Sequence, residues 1–243
     1  MERLSTILLV GGLATFLIAF VLMGLAPILT LGSIPMKSVE EIAQDIPLEF
    51  HLLAEDYPEE FKEHFGEVNP VSFADALRVG KRVYVAEACW HCHSQFIRPA
   101  SNEDLRFGPV STADEYKNEM NLPHLFGTRR VGPDLIRQSG VHSNDWHMAH
   151  FYHPPNVIPA SVMPSYSWFF DENKRPNKRG LAITAYVQWL GSWIKETPES
   201  IYNVEAITPK LTAASGEVSG AAVPVSEPSS DALEGVSGDE VSF

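Results

Sequence analysis

The chain has 243 residues, room for one or two domains. Its 31 acidic residues against 18 basic ones give a net charge of −13, which argues against nucleic acid as a partner. A hydrophobic content of 44% is ordinary for a packed core. From Leu4 to Ala26 runs a stretch of 23 residues without a charged side chain. As a helix it would span ~35 Å, enough for a hydrocarbon core of roughly 30 Å. Signal-peptide apolar regions are shorter, and no A-x-A cleavage site follows, so a retained single-pass anchor is expected over residues 1–34. Residues 35–70 carry many acids (Glu40, Glu41, Glu49, Glu55, Glu59, Glu60) and are punctuated by Pro35, Pro47, Pro58 and Pro70. That composition predicts an acidic connector, with a short helix possible near Pro58.

Ser72 with Asp75 fits a capping box, and Ala76, Leu77, Gly80, Val83 and Tyr84 follow at helical spacing. This helix leads into Cys89-Trp90-His91-Cys92-His93. Two cysteines separated by two residues and followed at once by histidine form the attachment pattern of a c-type haem. Each thiol adds to one porphyrin vinyl group, and the next histidine can supply the proximal nitrogen to iron. The same pair also fits half a zinc site or a redox dithiol. Zinc would need two further ligands and there is no third cysteine; no clear βαβ pattern supports the dithiol. The haem reading leaves no cysteine for a structural disulfide.

A sixth ligand must come from later in the chain. The part beyond the anchor offers Met120, Met148 and Met163. Met163 lies in a loop with Pro159 and Pro164, which hold the backbone extended and can aim the sulfur at a metal. Four histidines, His142, His147, His150 and His153, fall within twelve residues, a spacing compatible with a second metal or with surface positions. Ser143 to Tyr152 reads as a short helix stopped by Pro154 and Pro155. Gly180 to Trp193 reads as a closing amphipathic helix, and residues 201–243 read as a disordered tail rich in Ser, Gly, Ala and Val.

A helix into a haem motif, then an aromatic-rich closing helix, resembles the class I cytochromes c. The resemblance implies a mainly α domain over 71–200, with Gly80 packed against Tyr186 or Trp189. It also implies that Pro133, in Gly132-Pro133-Asp134-Leu135, accepts a hydrogen bond from the ligand histidine, with Leu135 against the haem. More narrowly, Cys92-His93-Ser94-Gln95 with Ile97-Arg98-Pro99, Gly127 to Leu135, Asp145 to His150 and Pro159 to Tyr166 resemble the mono-haem cytochrome c subunit of cbb3-type haem–copper oxidases. Phe96 stands where that family has methionine. The resemblance implies one covalent haem c with His93 and Met163 as axial ligands. It implies a c-type cytochrome donor, either a second cytochrome subunit or a soluble protein, and a large multi-span haem–copper subunit as acceptor. Covalent haem attachment in bacteria takes place outside the cytoplasmic membrane, so the haem domain is expected on that side. Arg98, Arg129 and Arg130 are candidates for haem propionate contacts or docking. The cytochrome subunit of a nitric oxide reductase and a free-standing tethered carrier are the alternatives.

Overall fold

The structure, a computed structural model, describes residues 2–127 and 129–194. The apolar N-terminal run forms α1 (Glu2–Phe20), a π turn at Val21–Leu25 and α2 (Ala26–Leu31). Arg3–Leu31 is therefore a continuous helical stretch of 29 residues, none of it buried against the rest of the protein, and long and apolar enough to cross a membrane. It outlasts the predicted end at Ala26 because Pro27 is absorbed. Proline cannot donate to the preceding turn, and the ladder widens just before it, with the Ala26 N–H bonded to the Val21 carbonyl. Thr30 Oγ1 donates to the Ala26 carbonyl at 2.9 Å, so the helix satisfies its own polar groups, as a lipid environment demands.

Residues 35–70, read from composition as a connector, are helical and packed. They form α3 (Val39–Ile42), α4 (Leu48–Asp56) and α5 (Pro58–Phe65). Phe50, Leu53 and Phe61 are buried, at 1%, 0% and 2% exposure. The Phe50 ring lies 5.1 Å from Phe61 and 4.8 Å from Phe73. The acids that suggested a solvated linker are the outer faces of these helices; Phe50 and Leu53, three apart, form the inner one. Lys37 joins the next layer through its N–H to the Lys117 carbonyl (2.9 Å) and its carbonyl to the Glu119 N–H (3.0 Å).

The core is built on α6 (Pro70–Ala86) and α9 (Lys178–Trp189). α6 begins two residues before the sequence expectation. Asn69 is its N-cap, Pro70 sits at N1, and Ser72 is the third helical residue: its N–H donates to Asn69 Oδ1 and its Oγ accepts from the Asn69 N–H, a reciprocal capping box. Asp75 is not part of the cap; it pairs with Lys178 at 2.8 Å. The two helices cross at Gly80. A Cβ there would lie 2.5 Å from Tyr186 Cβ and overlap the Ala182 carbonyl, so only glycine permits this approach. Tyr186 is the aromatic partner, with its ring 5.4 Å from Tyr84. α7 (Glu103–Phe107) and α8 (Asn144–Tyr152) complete the set, and α8 is capped by Ser143 as predicted. No strand occurs among the described residues, and the fold is mainly α, with one apolar helix at its N-terminal end. The tail at 201–243 lies outside the described residues.

Candidate functional site

α6 ends at Ala86, and Ala88 turns left-handed (φ 57°) to start a 3-10 turn over Cys89–His91. The His93 N–H bonds to the Cys89 carbonyl at 3.0 Å, which folds the pentapeptide into one turn. Both thiols are free and half-buried. Burial pushes the Cys89 thiol up to about 12, so it rests protonated.

The segment 131–135 runs beside the motif. The N–H groups of Val131 and Gly132 donate to the Cys92 carbonyl at 2.9 and 3.0 Å, and the Leu135 N–H donates to the Ser94 carbonyl at 2.9 Å. This brings the Pro133 carbonyl 2.9 Å from His93 Nδ1. A carbonyl only accepts, so Nδ1 carries the proton and Nε2 carries the lone pair. Burial lowers the pKa of His93, with the Pro133 bond and the Asp134 charge pulling the other way, and the ring rests neutral. Gly132 makes room for it: a Cβ would lie 2.8 Å from Nδ1 and 2.9 Å from Nε2.

The three methionines differ. Met120 is buried at 3% exposure. Met148, in α8, is also buried, and its sulfur accepts from Thr184 Oγ1 at 3.7 Å. Met163 is half-buried at the edge of the core. Its loop is held at both ends. The Met163 N–H donates to Ser161 Oγ at 3.2 Å, and the Tyr166 N–H donates to the Phe151 carbonyl of α8 at 2.8 Å. Burial, then the Cys89 thiol, pushes the Tyr166 phenol up to about 12.

The three arginines differ in their surroundings. Arg98 Nε donates to Glu103 Oε1 at 2.7 Å, and Arg130 donates to Glu103 Oε2 at 2.8 Å and to Asp134 Oδ2 at 3.3 Å. Arg129 is exposed beside Phe126 and Arg98 in a shallow pocket. In α8, Trp146 is sandwiched between His142 (3.8 Å) and His150 (4.7 Å), while His147 is buried with Nε2 unpartnered. Among the described residues no group of three or more His, Cys, Asp or Glu side chains is placed to hold a metal ion.

The family model described as "Cytochrome C oxidase, mono-heme subunit/FixO" matches residues 57–191. The chain belongs to this family. It is a mono-haem cytochrome c oxidase subunit and works in electron transfer. A comparison with curated proteins finds no match. The matched span opens at Tyr57, within the segment that composition alone assigned to a linker.

The residues present fit the family's single haem. Two free thiols lie one turn apart, a neutral imidazole offers Nε2, and a glycine keeps space around the ring. The sequence reading missed what surrounds them. Asp134, with its side chain fully buried, accepts from Ser94 Oγ (2.6 Å), the Phe96 N–H (2.9 Å) and the Ile136 N–H (2.9 Å). Gln95 Nε2 donates to the Tyr186 hydroxyl at 3.1 Å, tying the motif to α9. A carboxylate beside a proline carries no burial signal in a sequence, and these partners come from forty and ninety residues away.

Proposed function

We propose that the haem is a covalent haem c, attached through Cys89 and Cys92, with His93 and Met163 as axial ligands. When bound, it supplies an iron that takes up and gives back one electron at a time. The observation that carries the reading is the His93–Pro133 hydrogen bond, which leaves Nε2 as the free donor on a ring held in one orientation. Met163 is favoured as the second ligand because Met120 and Met148 are committed to the core. A thioether ligand raises the potential and keeps the iron six-coordinate, so little rearranges on electron transfer. Leu135, half-buried against the core, supplies an apolar wall. Arg98 gives its Nε and backbone N–H to Glu103 and leaves its outer edge in solvent, which favours docking over a propionate contact.

In this reading the subunit receives electrons singly from a c-type cytochrome, either a second subunit or a soluble protein. It passes them to the b-type haem of a large multi-span haem–copper subunit that reduces oxygen. The apolar helix holds it in the bacterial cytoplasmic membrane with the haem domain on the outer side. A pyridine-haem spectrum of the purified membrane complex, with haem staining of its denaturing gel, tests this. A stained band near the 26.9 kDa sequence mass, beside b-type haem in a larger subunit, is expected. No covalent haem in that band refutes the assignment of Cys89 and Cys92. Turnover of oxygen rather than nitric oxide by the complex tests the acceptor.

A further inference from the structure

We infer that Asp134 and Arg130 form a charge pair that fixes the His93–Pro133 hydrogen bond and sets the reduction potential of the iron behind His93. The inference rests on the haem reading above and goes one shell outward from it. Asp134 follows Pro133 directly, and its side chain is fully buried. Its Oδ2 accepts from Ser94 Oγ at 2.6 Å and from the Phe96 N–H at 2.9 Å; its Oδ1 accepts from the Ile136 N–H at 2.9 Å. One carboxylate therefore binds the strand of chain that follows His93 to the turn that presents the Pro133 carbonyl. The two backbone bonds at Gly132 and Leu135 flank it on either side. Pro133 is left no freedom to move away from Nδ1.

The charge is balanced locally. Arg130 donates to both Asp134 and Glu103, and Arg98 closes on Glu103. Two guanidinium groups face two carboxylates, and the cluster sums to zero. Arg130 (17% exposed), Glu103 (6%) and Asp134 (0%) are all shielded from water, where a fixed charge acts at longer range than it would at the surface. Arg130 also lies over the Phe107 ring at 4.8 Å and donates to Ser94 Oγ, so its position is set on several sides.

The sign of each change follows. A negative charge near the iron favours the oxidised, more positive state. Asp134→Asn leaves the cluster at +1 and loosens Pro133, so His93 becomes less basic. Both effects raise the potential. Arg130→Gln leaves the cluster at −1 and lowers it. Arg130→Lys keeps the charge and restores the wild-type value. The expected change is about tenfold in the ratio of reduced to oxidised protein at a fixed poise, ~59 mV for a one-electron couple.

Redox titration of the purified complex, followed at the c-type band, is the measurement, with a pyridine-haem spectrum of each sample beside it. Opposite shifts for Asp134→Asn and Arg130→Gln, with Arg130→Lys near wild type, support the inference. A merely structural role would loosen the domain and move both variants the same way. Shifts of one sign, or no shift, with haem retained overturn it. If Asp134→Asn fails to accumulate, Arg130→Gln against Arg130→Lys decides alone, and equal potentials overturn the inference. Wild-type protein without covalent haem overturns the haem reading instead, and the two failures are distinct.

Discussion

Met163, half-buried at the edge of the core, and His147, buried in α8, each make a separate residue-scale prediction. Met163→Ala removes the thioether while the loop stays tethered at Ser161 and Tyr166. Its potential is expected to fall, and the reduced protein should bind carbon monoxide, read as a shifted absorption band; an unchanged spectrum and potential move the ligand elsewhere. His147 makes its prediction through pH. Burial, with His142 and His150 adding, pushes its imidazole down to about 3, against ~6.5 in an unfolded chain. Between these values the unfolded state binds a proton that the folded state does not. Its stability contribution is therefore full above about 6.5 and is lost as pH falls, by ~1.4 kcal/mol per unit. In urea titrations, His147→Leu should lose about 2 kcal/mol less than wild type between pH 7 and pH 5; an equal loss refutes the assignment. Since Nε2 has no partner, the substitution is expected to cost little at pH 7 and to leave haem attachment intact. The sequence discloses the residues of this site whose chemistry is unusual in itself, such as paired cysteines before a histidine. It does not disclose Asp134 or Glu103, because an acid on the way to being buried looks like any solvated acid until its partners are known.

At the scale of elements, helices α6 and α9 were readable from apolar spacing; their crossing at Gly80, against Tyr186 or Trp189, was implied by the resemblance to class I cytochromes c, and Tyr186 is the partner found. Gly80→Ala places a methyl group on the Ala182 carbonyl and 2.5 Å from Tyr186 Cβ, both in rigid helical backbone. The helices must separate, at a cost of about 1–3 kcal/mol or more. A Tm lowered by roughly 5–10 °C is expected in calorimetry, and an unshifted Tm would show that the crossing gives way freely. Helix α4 was not readable from composition, since the segment around it is rich in acids and prolines, whereas the short helix expected near Pro58 is α5. The signal was present in periodicity: Phe50 and Leu53 are three apart, and Phe61 and Phe65 four apart. Tyr57 strengthens it, its hydroxyl donating to Asp145 at 2.6 Å and so clamping this layer to α8. Phe50→Ala should therefore behave as a core substitution and cost about 3–5 kcal/mol in urea unfolding, whereas a linker residue would cost less than about 0.5.

For the whole molecule, the helical stretch Arg3–Leu31 and the haem domain do different work. None of the stretch is buried against the rest of the protein, so the folding of the domain draws no packing energy from it. A chain lacking residues 2–31 should keep its haem absorbance and the Tm of the intact subunit, and appear in the soluble fraction. What it loses is proximity. Tethered beside its acceptor, the domain sees an effective concentration of the order of mM, and electron transfer needs no diffusional search. Freed, it must find the complex, and a net charge of −13 makes that encounter sensitive to screening. The intact complex should therefore turn over at a rate nearly independent of added salt. The anchorless subunit, added back to a complex depleted of it, should show a rate that rises with its concentration and changes several-fold between about 0.01 and 0.15 M salt. If the truncated subunit restores turnover at equimolar concentration and without salt dependence, the domain docks tightly by its own surface, and the helix is dispensable for electron transfer.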